Sequence, residues 1–348
     1  MKPFPFIYII LLFLITACSS KQKDNFEVVG KEIDLSPAPS GENPETQNTH
    51  NEDPLSNLNI DEISLVVLGT IQDAGSPHIA CTKDCCKDLF LNPDFSRKVV
   101  SLGLIDPIHE KNFIIDATPD FTEQVKILKK LSSFSEKETP DGIILTHAHI
   151  GHYTGLMYLG KEAMNAKKVQ VFAMHRMKSF LEQNGPWDQL VTNNNISIQE
   201  LNNQQEIALT PNLKLIPFEV PHRDEYSETV GFIIVGPNKK VLFIPDIDKW
   251  EQWEQDIIKE ISKVDYAFID GTFFDAEEVN NRNISEIPHP FISESMKKFN
   301  TLSFEEKKKI YFIHFNHTNP VINSQSPQAQ EVQKNGFNVS SIYTCIKL

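Results

Sequence analysis

Three histidines within six positions form a dense cluster of side chains that can bind a metal. They are His147, His149 and His152 in THAHIGH, directly after the apolar run 143–145. The spacing of His147 and His149 places both rings on one side of an extended backbone, and Gly151 is expected to allow a sharp turn that returns His152 to them. Neutral imidazoles are common ligands of Zn²⁺ and Fe²⁺. A metal site is therefore predicted, in preference to histidines that only cap a helix or form hydrogen bonds.

Other polar residues stand at the ends of apolar runs elsewhere in the sequence. These are Asp116, His222, Asp246, Asp270 and His314. A single aspartate at such a position is more often a turn former than a ligand. In layered α/β folds, however, residues at strand ends converge in the crevice above one edge of the sheet. The repeated pattern therefore predicts that these side chains lie near one another.

Hydrophobic periodicity predicts the elements that position these side chains. Apolar, β-rich runs bounded by Gly, Asp or Pro predict strands at 63–69, 99–105, 113–117, 142–146, 169–173, 213–220, 230–235, 240–245, 266–270, 309–314 and 340–346. Helical apolar spacing predicts helices at 122–131, 155–165, 177–183, 250–261, 292–299 and 329–335. The pattern favours an α/β fold with two sheets and helices outside them. A doubly wound sheet is the alternative, but no G-x-G-x-x-G follows a strand.

The N-terminus has the composition of a secretory signal. Apolar residues 4–15 are too few for an ordinary membrane-spanning helix, and small residues follow them at a cleavage site. Cys18 after Ile-Thr-Ala resembles the lipobox of bacterial lipoproteins, which implies removal of residues 1–17 and acylation of Cys18. A plain signal peptide with an incidental cysteine is the alternative. Residues 18–59 are expected to form a disordered tether. These features predict export and a lipid anchor in a bacterial membrane, on its periplasmic or outer side.

Residues 60–348 are long enough for one large α/β domain or two small ones. The chain is 40% hydrophobic and carries a net charge of −14. An acidic chain does not supply the Lys/Arg face that binding to nucleic acid requires. A small-molecule substrate is therefore expected and a nucleic-acid partner is not, while the oligomeric state is left open.

The segment THAHIGH resembles the H-x-H-x-D-H signature of the metallo-β-lactamase fold superfamily. The resemblance covers residues 60–348, because the other motifs of the superfamily appear in order: a structural aspartate at Asp116, a lone histidine at His222, a bridging carboxylate at Asp246 and a last histidine at His314. It implies a four-layer αββα sandwich with a metal site at one edge. The first implied metal site contains His147, His149 and His222. The second contains His152, His314 and a share of Asp246.

The sequence departs from this signature at Gly151. The aspartate of the superfamily at this position supplies an oxygen to the second metal, and glycine has no such atom. The second site is therefore expected to lose a charged ligand and to bind its metal more weakly or through water. One or two catalytic Zn²⁺ ions, or a single Fe²⁺, are compatible with this donor set.

The segment CTKDCC resembles a structural zinc site of the cyclic phosphodiesterase of phosphonate breakdown. The resemblance implies Cys81, Cys85, Cys86 and His317 as its four ligands, with His78 in reserve. The C-x-x-x-C-C spacing departs from the C-x-C-x-x-C of that branch. A disulfide, for example between Cys81 and Cys345, is the alternative in an oxidising compartment.

The region from Asp270 to His289 resembles the branch of tRNA-maturing endonucleases and phosphodiesterases. The resemblance implies that His289 is a proton donor held by Asp270; a loop histidine without a role is the alternative. Arg223 and Tyr226 are candidate substrate-binding residues. A surface salt bridge with Asp224 or Glu225 is the alternative for Arg223, and simple packing is the alternative for Tyr226.

Taken together, the motifs most resemble the family of pyrroloquinoline-quinone biosynthesis protein B. This resemblance implies the fold but not the substrate, since that protein has been linked to metal-dependent oxidation. From the metal site we expect a metal-dependent hydrolase of a small, anionic ester or phosphodiester, in which Asp246 orients a metal-activated water and His289 protonates the leaving group. An iron-dependent oxygenase or oxidase on the same ligands is one alternative. A non-catalytic binding lipoprotein is the other.

Overall fold

Two mixed seven-stranded sheets make up the centre of the structure. The computed structural model describes residue 55 and residues 58–279 and 287–348. The strands of the first sheet are β1 (Ser64–Gly69), β2 (Ser101–Asp106), β3 (Lys111–Ile115), β4 (Gly142–Ile144), β5 (Val169–Met174), β6 (Ile196–Leu201) and β14 (Cys345–Lys347). Those of the second are β7 (Ile207–Thr210), β8 (Leu213–Glu219), β9 (Val230–Val235), β10 (Lys240–Ile244), β11 (Tyr266–Asp270), β12 (Ile310–Ile313) and β13 (Asn338–Val339).

The spatial order is β14-β1-β2-β3-β4-β5-β6 in one sheet and β13-β12-β11-β10-β9-β8-β7 in the other. The α-helices are α1 (Phe121–Leu131), α2 (Ile150–Tyr153), α3 (His175–Gln183), α4 (Asp188–Thr192), α5 (Ile257–Ile261), α6 (Ile292–Lys298), α7 (Phe304–Lys307) and α8 (Pro327–Lys334). Short 3₁₀ helices lie at Thr154–Leu159, Trp250–Gln252, Phe299–Thr301 and Pro320–Ile322.

Strand β1 shows why the layers form. All six of its residues are buried, and successive side chains point to opposite faces of the sheet. Leu65 and Val67 pack against the second sheet, whereas Val66 and Leu68 pack against the helix layer that contains α1. A third apolar cluster joins the outer face of the second sheet to α5, α6 and α8. The predicted α/β fold, a four-layer αββα sandwich, is therefore confirmed.

Several predicted elements have different bounds in the structure. The helix predicted at 155–165 is a 3₁₀ helix that ends at Leu159, because a turn at Gly160 precedes the polar residues that follow. The helix predicted at 250–261 is broken, because Asp256 starts α5 by accepting a hydrogen bond from the backbone of Ile258. The strand predicted at 340–346 is wrong, since the chain forms β13 before it and β14 at its end.

The predicted signal peptide and most of the predicted tether, including Cys18, lie outside the described residues. Among the residues that are described, no helix has the length and apolar content needed to cross a membrane.

Candidate metal centre

The first group of donor atoms contains His147, His149, His222 and Asp246. His147 and His149 follow β4, His222 follows β8, and Asp246 follows β10. The ends of these strands therefore bring the four residues to one edge of the two sheets. Nε2 of His147 lies 3.3 Å from Oδ2 of Asp246, and Nε2 of His222 lies 3.2 Å from Oδ1. The ligand atoms of this group all lie within 4.8 Å of one another.

The second group contains His152, His314, Asp246 and a residue that the sequence reasoning missed, Asp73. Nε2 of His152 and Nε2 of His314 each lie 3.7 Å from Oδ2 of Asp246. Oδ1 of Asp73 lies 2.9 Å from Nε2 of His152 and 3.1 Å from Nε2 of His314. Asp246 therefore stands between the two groups, as the sequence reasoning expected for a bridging carboxylate.

In four of these histidines, Nδ1, the ring nitrogen that points away from Asp246, has a hydrogen-bond partner of its own. Nδ1 of His152 lies 2.7 Å from Oδ2 of Asp116, and Nδ1 of His222 lies 3.1 Å from Oδ1 of Asp248. Both carboxylates accept from these nitrogens, so the proton is on Nδ1. When such an imidazole is neutral, the lone pair is on Nε2, which faces the site. Metal-ligating histidines are oriented by an outer hydrogen bond of this kind.

Two threonines complete this arrangement through their single hydroxyl protons. The hydroxyl of Thr146 donates to Asp116 and lies 2.9 Å from Nδ1 of His147. The hydroxyl of Thr272 donates to Asp270, 2.7 Å away, and lies 2.8 Å from Nδ1 of His314. Because each hydroxyl donates its only proton to an aspartate, its oxygen can only accept a hydrogen bond from Nδ1 of the neighbouring imidazole. These two histidines therefore also turn a bare Nε2 inward.

Buried atoms without partners indicate what the site is built to hold. Nε2 of His147, Nε2 of His149 and Oδ1 of Asp246 are buried and have no hydrogen-bond partner among the described residues. Leaving such atoms unpaired is costly, and a cation satisfies all three. A tetrahedron with metal–nitrogen and metal–oxygen distances of about 2.05 Å has edges of about 3.3 Å, close to the distances of 3.3 and 3.2 Å that separate His147 and His222 from Asp246. The donor set therefore fits a divalent metal.

The charges of the two groups fit the same conclusion. Burial opposes the charged form of His152, but the carboxylates of Asp73 and Asp116 outweigh it and hold the pKa of His152 well above its usual value. Burial and the neighbouring His152 hold the pKa of His147 well below its usual value. Despite burial, the surrounding imidazoles hold the pKa of Asp246 well below its usual range. The ionised carboxylates of the site thus attract positive charge, which a proton on His152 or a divalent cation can supply.

Gly151 only partly fits its sequence interpretation. It lies within α2 (Ile150–Tyr153), where the N–H of His152 donates to the carbonyl of His149 and the chain turns, so that the ring of His152 lies 4.2 Å from that of His147. The turn does not need the freedom of glycine, because the φ of Gly151 is not in the left-handed region. Gly151 itself offers no ligand atom, as expected, but the carboxylate of Asp73 lies in the second group. The sequence did not predict Asp73 as a ligand, because an aspartate before Ala-Gly is typical of a turn.

His289 and Asp270 meet as the sequence reasoning expected. Nδ1 of His289 lies 2.8 Å from Oδ2 of Asp270 and 3.2 Å from Oδ1 of Asp246. Asp270 also accepts from the backbone of Thr272 and of Ile247, so its oxygens already have protein donors. This makes Asp270 an orienting group for His289. His289 and Asp270 also form a third group of possible ligands with Asp246 and His314.

The three cysteines and His317 come together in a separate group. Sγ of Cys81 lies 3.6 Å from Sγ of Cys85, which lies 3.9 Å from Sγ of Cys86. A zinc tetrahedron with Zn–S distances of about 2.3 Å has edges of about 3.8 Å. Nδ1 of His317 is buried and without a hydrogen-bond partner in the described part of the chain. These donors fit a structural Zn²⁺.

The structure also shows where His78 and Cys345, the other candidate partners of the cysteine group, lie. His78 is not one of the four donors; its ring stacks on His317 at 4.5 Å, and its backbone N–H donates to Sγ of Cys86. Cys81 and Cys345 are both free, and Cys345 lies on β14. Burial and the adjacent thiols raise the pKa of Cys85 to about 12, so a cation is needed to make it a thiolate.

The two candidate substrate-binding residues lie on the loop after His222. Arg223 is exposed, and Asp224, an expected ion-pair partner, lies 3.2 Å from Arg176 instead. Tyr226 is 65% exposed and its ring contacts that of Phe180. Glu225 faces the first group, with Oε2 3.7 Å from Nε2 of His149. Both candidates therefore lie on an exposed loop beside the first group.

Comparison with known proteins defines the class of this fold and site. Residues 111–315 match the family described as beta-lactamase superfamily domain. They make up more than half of the chain, and the chain belongs to this superfamily of metallo-β-lactamase folds.

Particular relatives resemble about four fifths of the chain. The chain is 23% identical over 301 residues to coenzyme PQQ synthesis protein B of Xanthomonas axonopodis pv. citri, covering 79% of this chain and 97% of that protein. The crystal structure of Zn²⁺-bound PqqB from Methylobacterium extorquens aligns with a TM-score of 0.67 at 20% identity, over 82% of this chain and all of the other. A diphosphatase of the PhnP family aligns with a TM-score of 0.55 at 21% identity, over 82% and 96% of the two chains. The predicted family resemblance is confirmed.

Proposed function

We propose that the protein is a metal-dependent hydrolase that acts on a small, anionic ester or phosphodiester. One observation carries the proposal: Asp246 lies between two groups of histidines, and three of the buried donor atoms have no hydrogen-bond partner among the described residues. The relatives support it, because one is a zinc-bound protein and another is a diphosphatase on the same fold.

The proposed chemistry divides between the metal and the side chains around it. A bound divalent cation lowers the pKa of water and polarises a substrate oxygen. Asp246 orients the attacking water by accepting its hydrogen bond. His289, whose Nδ1 is 2.8 Å from Asp270, delivers a proton from Nε2 to the leaving-group oxygen. Arg223 pairs with an anionic part of the substrate.

The substrate class can be tested with a small panel of chromogenic compounds. Bis(p-nitrophenyl) phosphate, a p-nitrophenyl carboxylic ester and an aryl diphosphate are each incubated with metal-free protein and with protein reloaded with Zn²⁺ or Mn²⁺. We expect turnover of at least one compound only after reloading. The His147→Ala protein should stay inactive, and His175→Ala should behave as wild type because His175 is exposed and pairs with Glu200.

The same protein samples distinguish the other candidate functions. Uptake of O₂ that requires Fe²⁺, with no hydrolysis in the panel, would favour the oxygenase or oxidase. Metal binding without either activity would favour a binding lipoprotein. Either result would contradict the proposal that the protein is a hydrolase.

Export and lipid anchoring form part of the same proposal and rest on the sequence of residues 1–20. Acylation at Cys18 would tether residues 60–348 to a membrane on its periplasmic or outer side. Metabolic labelling with a palmitate analogue should mark the wild-type protein in the membrane fraction. Cys18→Ala should lose the label and leave the membrane fraction, and retention of both would contradict the anchor.

A further inference from the structure

We propose that Asp73 is the carboxylate ligand of the second metal and that Gly151 is the residue that makes room for it. This inference rests on the proposed metal site and adds a donor from outside the histidine motif. The second metal would then have four protein donors, namely Asp73, His152, Asp246 and His314.

The first argument is the position of a single oxygen. Oδ1 of Asp73 faces the inward nitrogens of both His152 and His314, at 2.9 and 3.1 Å. The three residues come from distant parts of the sequence, and Asp73 and His314 are 241 positions apart. Asp73 is only 12% exposed. One oxygen and two imidazole nitrogens thus surround a single point, and these are donor types that Zn²⁺ takes.

The second argument is the space at residue 151. A Cβ atom added to Gly151 would lie 2.5 Å from Cα, 2.6 Å from Cβ and 2.7 Å from Cγ of Asp73. These are much shorter than the distances at which carbon atoms pack. The backbone of Gly151 does not have a left-handed φ, so its conformation does not require glycine. A side chain at 151 and the present position of Asp73 are therefore mutually exclusive.

The third argument is that the backbone fixes Asp73 beside His314. The backbone N–H of Gln72 donates to the carbonyl of Phe315, and the N–H of Phe315 donates to the carbonyl of Thr70. Ile71 and Phe315 also form an isolated parallel bridge. The residue after His314 thus holds the residues before Asp73 in register. The position of the carboxylate therefore follows from backbone pairing rather than from a flexible surface loop.

Together these observations describe an exchange of ligand. The signature that THAHIGH resembles has an aspartate where this chain has Gly151, and this chain supplies its oxygen from the loop after β1 instead. The structure therefore assigns two metal positions to the catalytic centre.

Counting bound zinc tests the assignment without any substrate. The full chain is equilibrated with a fixed, low concentration of free Zn²⁺, and bound zinc is measured by elemental analysis. Asp73→Asn keeps the size of the side chain and is expected to hold one ion fewer than wild type. The affinity for that ion should fall at least about 100-fold, the upper end of the cost of losing even an outer partner of a ligand. Asp88→Asn, an exposed residue on the same loop, should keep every ion.

A substitution at Gly151 provides a second test. Gly151→Ala should lower the melting temperature and hold one zinc ion fewer, because its Cβ would collide with the Cα of Asp73 and displace the carboxylate. Gly185→Ala is the matched control, since a Cβ there would approach only Asp188, at 3.7 Å. Unchanged zinc content and affinity in Asp73→Asn would overturn the assignment, as would a Gly151→Ala protein that keeps the wild-type stability and every ion.

The outcome is separable from that of the proposed function. Loss of an ion in Asp73→Asn, with no hydrolysis by wild type, would keep the ligand assignment and reject the hydrolase. Metal-dependent hydrolysis by the wild type, with no effect of Asp73→Asn on bound zinc, would keep the hydrolase and reject the ligand assignment.

Discussion

His314 and His317 lie three positions apart yet belong to two separate groups of metal-binding donors. Nε2 of His314 faces Asp73 and Asp246, whereas His317 joins the three cysteines. The cysteine loop follows Asp73 in sequence. An ion in the cysteine group would therefore tie the loop that carries Asp73 to the segment that carries His314.

Replacing a cysteine of this group should remove one zinc ion and lower stability. Cys81→Ser is expected to lose the structural ion, because an alcohol is a much poorer zinc ligand than a thiolate, and to lower the melting temperature. Cys345→Ser is the matched control, since Cys345 is free and lies on β14. Elemental analysis and thermal unfolding measure both effects. Full zinc content in Cys81→Ser would contradict the structural site.

Replacing His147 should empty the first catalytic group while the cysteine group stays loaded. His147→Ala removes one of the inward nitrogens, and the affinity for catalytic metal is expected to fall at least about 100-fold. The activity with the chromogenic panel should be lost with it. The control His175→Ala changes an exposed histidine and should bind as wild type. Equal metal affinity in both variants would argue against the first group.

The role of His289 depends on the leaving group. As a proton donor, its loss in His289→Ala should slow hydrolysis of an alkyl ester or alkyl phosphodiester by about 10²–10⁴-fold. Hydrolysis of the p-nitrophenyl analogue should change much less, because that group leaves as a stable anion. Bound metal should stay the same.

The contrary result for His289 is equally definite. If His289→Ala loses a metal ion and slows both substrates alike, His289 is a ligand in the third group with Asp246 and His314. Asp270→Asn should then also lower metal affinity instead of changing only the dependence on the leaving group.

The core between the sheets should dominate the free energy of unfolding. Phe232 on β9 is fully buried in this core, so Phe232→Ala is expected to lower the free energy of unfolding by about 3–5 kcal/mol. Ile108 is 63% exposed, and Ile108→Ala should change it by no more than about 0.5 kcal/mol. Chemical denaturation measures both, and similar values for the two variants would contradict the layered packing.

Sequence reasoning located most of the site because its residues follow apolar runs. His222, Asp246 and His314 each come at or just after the end of a strand, and strand ends meet at a sheet edge. The close spacing of His147 and His149 predicted by itself that their side chains could share a metal. These patterns involve residues close together in the sequence, so they can be recognised without knowledge of the fold.

Asp73 and Asp248 could not be found in the same way. Asp73 matters because the residues before it pair with Phe315, a contact between segments far apart in the chain. Asp248 acts only through its contact with Nδ1 of His222. Neither role leaves a local pattern. The edge strands β6 and β7 were missed for a related reason, since their mixed burial gives weak periodicity.

Anomalous X-ray diffraction at the zinc absorption edge, on crystals of the zinc-loaded protein, tests the metal centre most directly. We predict two peaks on opposite sides of Asp246, one within reach of His147, His149 and His222, and the other between Asp73, His152 and His314. The absence of any peak among the Nε2 atoms of His147, His149 and His222 would contradict the account.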